Sequence, residues 1–198
     1  MAEDSTQPPH ATRFVETTRG ILSYSQLAPL LAERVLTVQA DIEDGIFAAQ
    51  SLDGSLLLDL HRGICGDLTP DWAGRFRRGE VKVGQHSPPT PHQVPMLIRD
   101  YFADLNVRLT PPPADFLLIE ALAFAEGRLL SIHPFPDFNG RVTRLLLAEL
   151  LRRLDLPPVE LAPTDEAATA QYLAALRAAD ELNWQPLIEF WKKRIENV

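Results

Sequence analysis

Twelve consecutive residues contain most of the side chains that could do chemistry in this chain of 198 residues. They run from His133 to Arg144 and read His-Pro-Phe-Pro-Asp-Phe-Asn-Gly-Arg-Val-Thr-Arg. His133 can accept a proton at neutral pH, because the pKa of an unperturbed histidine is about 6.5. Asp137 offers hard carboxylate oxygens, which Mg²⁺ prefers as ligands beside phosphates. Arg141 and Arg144 can each pair with phosphate oxygens through a planar guanidinium.

These residues lie where one predicted helix ends and the next begins. Pro134 stops the preceding helix, and Asn139 and Gly140 are placed to cap the following one. The start of a helix exposes backbone N–H groups that attract phosphate. The two arginines are three residues apart, so both lie on the same face of that helix. A base, a metal ligand, an anion site and two arginines together predict phosphoryl or nucleotidyl transfer.

Each feature also has a purely structural interpretation. A His-Pro pair often marks only a helix end, Asn-Gly is usually a turn, and the arginines could be surface charges at a helix start. His133 and Asp137 could also form half of a metal site, although no second histidine lies within twenty residues. The combination of all these residue types in one short segment favours the chemical interpretation.

Apolar residues recur at helical spacing along most of the chain, and proline clusters divide it into segments. Residues 142–154 are apolar over most of the helix circumference, which is typical of a central, buried helix. Residues 75–84 instead alternate around a central glycine and predict a two-stranded β-hairpin. Ser23 and Ser55 are candidate N-caps. The predicted helices span 24–39, 55–64, 93–105, 114–132, 142–154, 165–180 and 184–195. The predicted fold class is therefore all-α with one small β-hairpin.

Composition excludes several functional classes. The net charge is −8, with no run of five Lys or Arg residues, so we expect no nucleic-acid partner. No apolar stretch reaches the roughly 18 residues of a membrane span, and the N-terminus lacks the features of a signal peptide. We therefore expect no membrane partner and a cytoplasmic location. Cys65 is the single cysteine, which excludes an internal disulfide and a cysteine-based zinc site.

The segment from His133 to Arg144 resembles the Fic family motif, His-Pro-Phe-x-Asp/Glu-Gly-Asn-Gly-Arg-x-x-Arg. The exception is Phe138, which stands where the motif has its first glycine. Further similarity surrounds the family's flap, before and after it: Leu60-His61-Arg62, Gly66-Asp67, Trp72 to Arg77, Gly84 to Pro89 and Val94-Pro95. The resemblance covers residues 55–195 and implies a Fic-fold helical bundle with a β-hairpin flap. We accordingly expect a disordered tail over 1–11, an N-terminal helical extension over 12–54 and a Fic domain core over 55–198.

The resemblance implies a protein adenylyltransferase that moves AMP from ATP to a Tyr, Thr or Ser hydroxyl of a target protein. His133 would be the general base, and Asp137 would bind the Mg²⁺ that bridges the phosphates. The remaining implied nucleotide-binding residues are Asn139, Gly140 and Arg141, with Arg144 on the γ-phosphate.

The resemblance also assigns roles around the motif. Residues 76–83, the flap segment, would align the target by strand pairing, and Phe135 would anchor the loop from below. Phe138 would lie at the nucleotide site in place of a glycine, which permits positive φ. Three consequences are open: the loop keeps its shape with the ring toward solvent or the base pocket, the donor changes to UMP, phosphocholine or phosphate, or phosphate binding weakens. In the last case the chain would act as a binding or interaction module.

Many Fic proteins carry an inhibitory helix, Ser/Thr-x-x-x-Glu-Gly/Asn, whose glutamate pairs with the second motif arginine, here Arg144. This chain contains only partial copies, around Glu16, Glu43 and Glu196, and the simpler interpretation of each glutamate is a solvated charge. Two alternatives are open: a separate antitoxin inhibits the protein, or the protein is not inhibited at all. We expect a monomer or a weak homodimer, with the apolar face of 184–195 packed internally.

Overall fold

The computed structural model describes residues 14–110 and 114–196, so the predicted tail over 1–11 lies outside the described residues. Two short strands lead into a bundle of helices. A 3₁₀ turn, Pro91–Gln93, precedes the third helix. In chain order the elements are β1 (Phe14–Thr17), β2 (Gly20–Ser23), α1 (Tyr24–Glu43), α2 (Gly54–Cys65), α3 (Val94–Leu109), α4 (Asp115–Ile132), α5 (Asn139–Arg153), α6 (Glu166–Asp180) and α7 (Gln185–Glu196).

Each predicted helix is present, and the all-α class with a small two-stranded sheet is confirmed. The predicted cap of α1 is also confirmed, because the Ser23 hydroxyl and the Gln26 side chain form a reciprocal capping box. The predicted cap of α2 is wrong. Asp53, two residues before Ser55, accepts the Ser55 N–H at 2.8 Å, since an aspartate is as good an N-cap as a serine.

The position predicted for the hairpin is wrong. Within the described ranges, residues 75–84 contribute only an isolated bridge between Val83 and His86. The main chain of this segment is held elsewhere, since Arg77 N–H donates to Pro134 O at 2.8 Å. The antiparallel pair is β1 with β2, in a register that places Val15 opposite Leu22.

Helix α5 forms the centre of the bundle, as its apolar circumference predicted. It packs against α1, α2 and α4, so α1 belongs to the same core although it lies in the predicted extension. The internal face of α7 is also confirmed, because Leu187, Ile188 and Trp191 are buried. In the described part of the chain, no helix is both long enough and apolar enough to cross a membrane.

A buried carboxylate on α4 joins this helix to α6 and α7. Glu126 accepts hydrogen bonds from Tyr172 of α6, and from Trp191 and Arg194 of α7, at 2.5–2.8 Å. The side chain of Arg194 is itself 8% exposed and also donates to Leu161 O. A buried charge is stable only when it is paired and hydrogen-bonded, so this cluster fixes the position of α6 and α7 on α4.

Candidate active site

His133 ends helix α4 in a left-handed conformation, with φ 51° and ψ 61°. Its backbone N–H still donates to Leu129 O at 3.1 Å, which completes the last turn of the helix. Imidazole Nδ1 lies 3.3 Å from Leu130 O. Because a carbonyl oxygen can only accept, Nδ1 carries a proton, and in the neutral ring the lone pair is on Nε2. The imidazole is partly exposed, so a reacting hydroxyl can reach the side chain that the sequence assigned as base.

The loop after His133 is held by the side chain of Asn139. Its Oδ1 accepts the Phe135 N–H at 2.8 Å, and its Nδ2 donates to Phe135 O at 3.0 Å. Asn139 is the first residue of α5, and the N-cap position belongs to Phe138. The prediction that Asn139 and Gly140 cap the helix is therefore wrong, because the amide is used to close the loop. A role for Asn139 and Gly140 in nucleotide binding stays a prediction.

Phe138 adopts the left-handed conformation that a glycine would adopt, with φ 64° and ψ 16°. Its ring is 3% exposed and packs 5.5 Å from the Trp72 ring and 6.4 Å from the His61 ring. The loop thus keeps its shape, as the first of the three options proposed, but the ring points into the core and not to solvent. Burial of a large ring offsets the roughly 1–2 kcal/mol that a left-handed non-glycine residue costs.

Asp137 is 7% exposed, and its Oδ1 accepts the Phe138 N–H at 2.8 Å. The carboxylate is therefore fixed in direction at the start of α5. Among the described residues, no group of three or more His, Cys, Asp or Glu side chains could hold a metal. One fixed carboxylate fits Mg²⁺, which is usually bound through one or two carboxylates plus substrate phosphates and water.

The main chain of Asp137 is held by a second histidine. His61 Nδ1 accepts the Gly74 N–H at 2.8 Å, so Nε2 carries the proton and lies 3.3 Å from Asp137 O. Burial lowers the pKa of His61 to about 4, which keeps the ring neutral at physiological pH. The ring stacks on Phe135 with centroids 3.9 Å apart. Phe135 is fully buried, which confirms it as the anchor beneath the loop.

The two motif arginines project from the first turns of α5. Arg141 Nη1 donates to the Tyr24 hydroxyl at 2.6 Å, and its guanidinium carbon lies 5.5 Å from the Tyr24 ring centroid. Arg144 lies near Tyr172: burial raises the pKa of that phenol, and the charge of Arg144 opposes the rise. Both arginines are partly exposed, and they follow the first N–H groups of α5, which have no acceptor within the helix. The arrangement can bind a polyphosphate at the N-terminus of α5.

A family model described as the Fic/DOC family matches residues 51–151, which is half of the chain. The chain belongs to the Fic/DOC family. Two curated relatives carry the name "Protein adenylyltransferase Fic": one from Drosophila persimilis is 35% identical over 134 residues, and one from Drosophila melanogaster is 36% identical over 136 residues. Both alignments cover 68% of this chain, which spans about a quarter of the length of these relatives (25% and 26%).

Solved structures give the same fold. Fic-1 from C. elegans is 30% identical with a TM-score of 0.62, covering 85% of this chain and 47% of that one. The N-terminal Fic domain of the Bep8 protein from Bartonella sp. 1-1C is 15% identical with a TM-score of 0.77, covering 95% of this chain and 93% of that one. The second likeness is one of fold alone.

Sequence reasoning gave no role to three residues of this Fic site: Tyr24, His61 and Arg77. His61 and Arg77 lie in the segments around the flap that resemble the family. That resemblance indicated that the segments are important, but it did not indicate what either residue does. Nothing in the sequence marked Tyr24, because its contact with Arg141 joins residues that are 117 positions apart. Glu16, Glu43 and Glu196 are exposed, as expected of solvated charges, although Glu16 lies on β1 and not on a helix.

Proposed function

We propose that this chain transfers AMP from ATP to a Tyr, Thr or Ser hydroxyl of a target protein. One observation carries the proposal: a single loop–helix junction presents the His133 imidazole, the fixed Asp137 carboxylate and the arginine-bearing start of α5. The names of the curated relatives support adenylyl transfer. Solved Fic structures from Bartonella tribocorum and Bartonella quintana contain bound AMPPNP and bound ADP respectively, which supports an adenine nucleotide as donor.

In the proposed reaction, His133 Nε2 takes the proton of the target hydroxyl as its oxygen bonds to the α-phosphorus of ATP. The bond between the α-phosphorus and the bridging oxygen breaks, pyrophosphate leaves, and AMP stays on the target through a new P–O bond. Arg141, Arg144 and the N–H groups at the start of α5 would bind the phosphates and lower the energy of the charged transition state. Asp137 would hold Mg²⁺, which neutralises phosphate charge when bound.

Purified protein should label a lysate protein or itself when it is incubated with Mg²⁺ and ATP labelled at the α-phosphate. His133→Ala should lower the labelling rate by about 10²–10⁴-fold, because it removes the proton acceptor. His92→Ala is the matched control, since His92 is an exposed histidine outside the junction, and it should label like the wild type. Failure of the wild type to label any protein would reject the proposal.

The same reaction separates the donors that the Phe138 replacement left open. We expect unlabelled ATP to compete more strongly than GTP, UTP or CDP-choline, and the intact mass of the product to rise by one AMP group. The retained left-handed conformation of Phe138 supports this expectation, because it leaves the loop before α5 in the form that glycine would give. Control by a separate antitoxin stays a prediction of the sequence.

A further inference from the structure

Arg77 is a buried arginine whose side chain donates to main-chain carbonyl groups, two of them at the proposed base. It is 3% exposed. Its Nε donates to His133 O at 2.8 Å, and its Nη2 donates to Ile132 O at 3.4 Å. Burial lowers the pKa of Arg77, but a guanidinium stays charged in proteins. A buried charge is stable only when it is hydrogen-bonded. The hydrogen bonds to these carbonyl groups therefore fix the position of the guanidinium, and the guanidinium fixes the position of the carbonyl groups.

The end of α4 needs such a donor for a local reason. A helix leaves its last carbonyl groups without intrahelical partners, and Pro134 and Pro136, which follow, have no N–H to offer. The left-handed conformation of His133 turns its own carbonyl out of the helical direction. A positive charge at a helix C-terminus is also favourable to the helix dipole. His86 Nε2 lies 2.9 Å from Ser131 O, and Arg77 supplies the donors to Ile132 O and His133 O together with a positive charge at this helix end.

The same guanidinium reaches the flap segment and the chain beyond it. Nη1 donates to Gly79 O at 3.2 Å, and Nη2 donates to Pro89 O. The backbone N–H of Arg77 donates to Pro134 O at 2.8 Å, next to His133. One residue thus connects the start of the flap segment, the segment after it and the peptide group of the proposed base.

We propose that Arg77 is a positioning residue that locks the main chain of His133 to the flap segment, and so sets where the imidazole stands relative to the docked target. The inference rests on the proposed function for its catalytic consequence, but the structural part can be tested without activity. Since a misplacement of about 1 Å in a reacting group can cost about 10²-fold in rate, loss of the lock should slow the chemical step while nucleotide binding persists.

Arg77→Lys is the informative variant, because it keeps the charge but cannot reproduce a planar set of donors to four carbonyl groups. Arg75→Lys is the matched control: Arg75 lies two residues away, is exposed and donates to Asp71 O. With α-labelled ATP and the lysate protein that the wild type labels, we expect Arg77→Lys to lower the rate at saturating ATP by about tenfold or more. The ATP concentration for half-maximal rate should change by less than about twofold, and Arg75→Lys should match the wild type in both.

Nuclear magnetic resonance tests, without any reaction, whether Arg77 fixes the conformation of His133. The Cα shift of His133 reports its φ and ψ, and the ring ¹⁵N shifts report its tautomer. Both should move or broaden in Arg77→Lys and superpose on the wild type in Arg75→Lys. His133 resonances that superpose in all three proteins overturn the proposal, as does an unchanged labelling rate in folded Arg77→Lys. If the wild type labels nothing, the proposed function fails and the resonances alone decide the role of Arg77.

Discussion

At the scale of single residues, Phe138 sets two physical effects against each other. Its left-handed backbone costs about 1–2 kcal/mol relative to glycine, whereas its ring is almost fully buried against Trp72 and His61. Truncation of a buried phenylalanine typically costs about 3–5 kcal/mol. The burial term is larger, which explains how a phenylalanine can occupy a loop position that favours glycine.

Two variants at this position separate the two effects. Phe138→Gly should lower the free energy of unfolding by about 2 kcal/mol, because lost burial exceeds relieved strain. Phe138→Ala loses the same ring but keeps a Cβ in the left-handed region, so it should be about 1 kcal/mol less stable than Phe138→Gly. Urea denaturation of the three proteins measures both differences. Equal stability of the two variants would show that position 138 does not adopt positive φ in solution.

The residue types of the site could be read from the sequence, but their partners could not. His133, Asp137 and the two arginines are adjacent in sequence, so the helix end and helix start that hold them were predictable. The direction of the Phe138 ring depends on Trp72 and His61, and the anchoring of His133 depends on Arg77, 56 positions away. Such contacts follow from packing between elements, which spacing along the chain does not encode.

At the scale of elements, helices were predictable because apolar periodicity over three or more turns is a long signal. The hairpin was misplaced because a strand of four residues carries little signal. The alternation of apolar and polar residues in the flap segment does not arise from strand pairing. Phe76 packs against Phe135, with ring centroids 5.9 Å apart, and Arg77 is hydrogen-bonded to the end of α4. The sheet itself forms at β1 and β2, where Gly20, with φ 94°, permits the tight turn.

The attachment of α6 and α7 to α4 should depend on one buried charge. Glu126→Gln should lower the free energy of unfolding by about 3 kcal/mol, because Trp191 and Arg194 both donate to one oxygen that the amide could replace with a donor. Asp67→Asn is the control, since Asp67 pairs with Arg34 at the surface with a side chain 59% exposed, and should cost less than about 1 kcal/mol. Thermal and urea denaturation measure both. Similar losses in the two variants would contradict a buried ion pair at Glu126.

At the scale of the whole molecule, the site is built where separate parts of one core meet. Helix α5 contributes the arginines, and α4 contributes His133. Helix α2 reaches the loop through His61, which accepts the N–H of Gly74 from the segment after α2. The family match begins at residue 51, yet α1 packs on α5 and brings Tyr24 to Arg141. Residues before the matched region therefore contribute to the same folded unit, and stability of the whole fold bears directly on the site.

Acid should destabilise this unit through His61. The pKa of a histidine is about 6.5 in an unfolded chain, whereas burial lowers that of His61 to about 4. Between these values the unfolded state binds the proton more readily, so the stability present above pH 6.5 is lost as the pH falls toward 4. The expected loss between pH 7 and pH 5 is about 2 kcal/mol from this group.

Urea denaturation of the wild type and two histidine variants at pH 7 and pH 5, in the presence of a chelator, separates the contribution of His61 from that of other groups. In His61→Gln the ring that must stay neutral is gone, so this variant should be less stable at pH 7 but lose about 2 kcal/mol less than the wild type on acidification. His92→Gln removes an exposed histidine and should follow the wild type at both values. Parallel pH dependence in wild type and His61→Gln would mean that His61 is protonated as easily in the fold as outside it. A charged His61 would place a donor against the Gly74 N–H, and the neutral hydrogen-bonded chain that holds the Asp137 carbonyl could not exist.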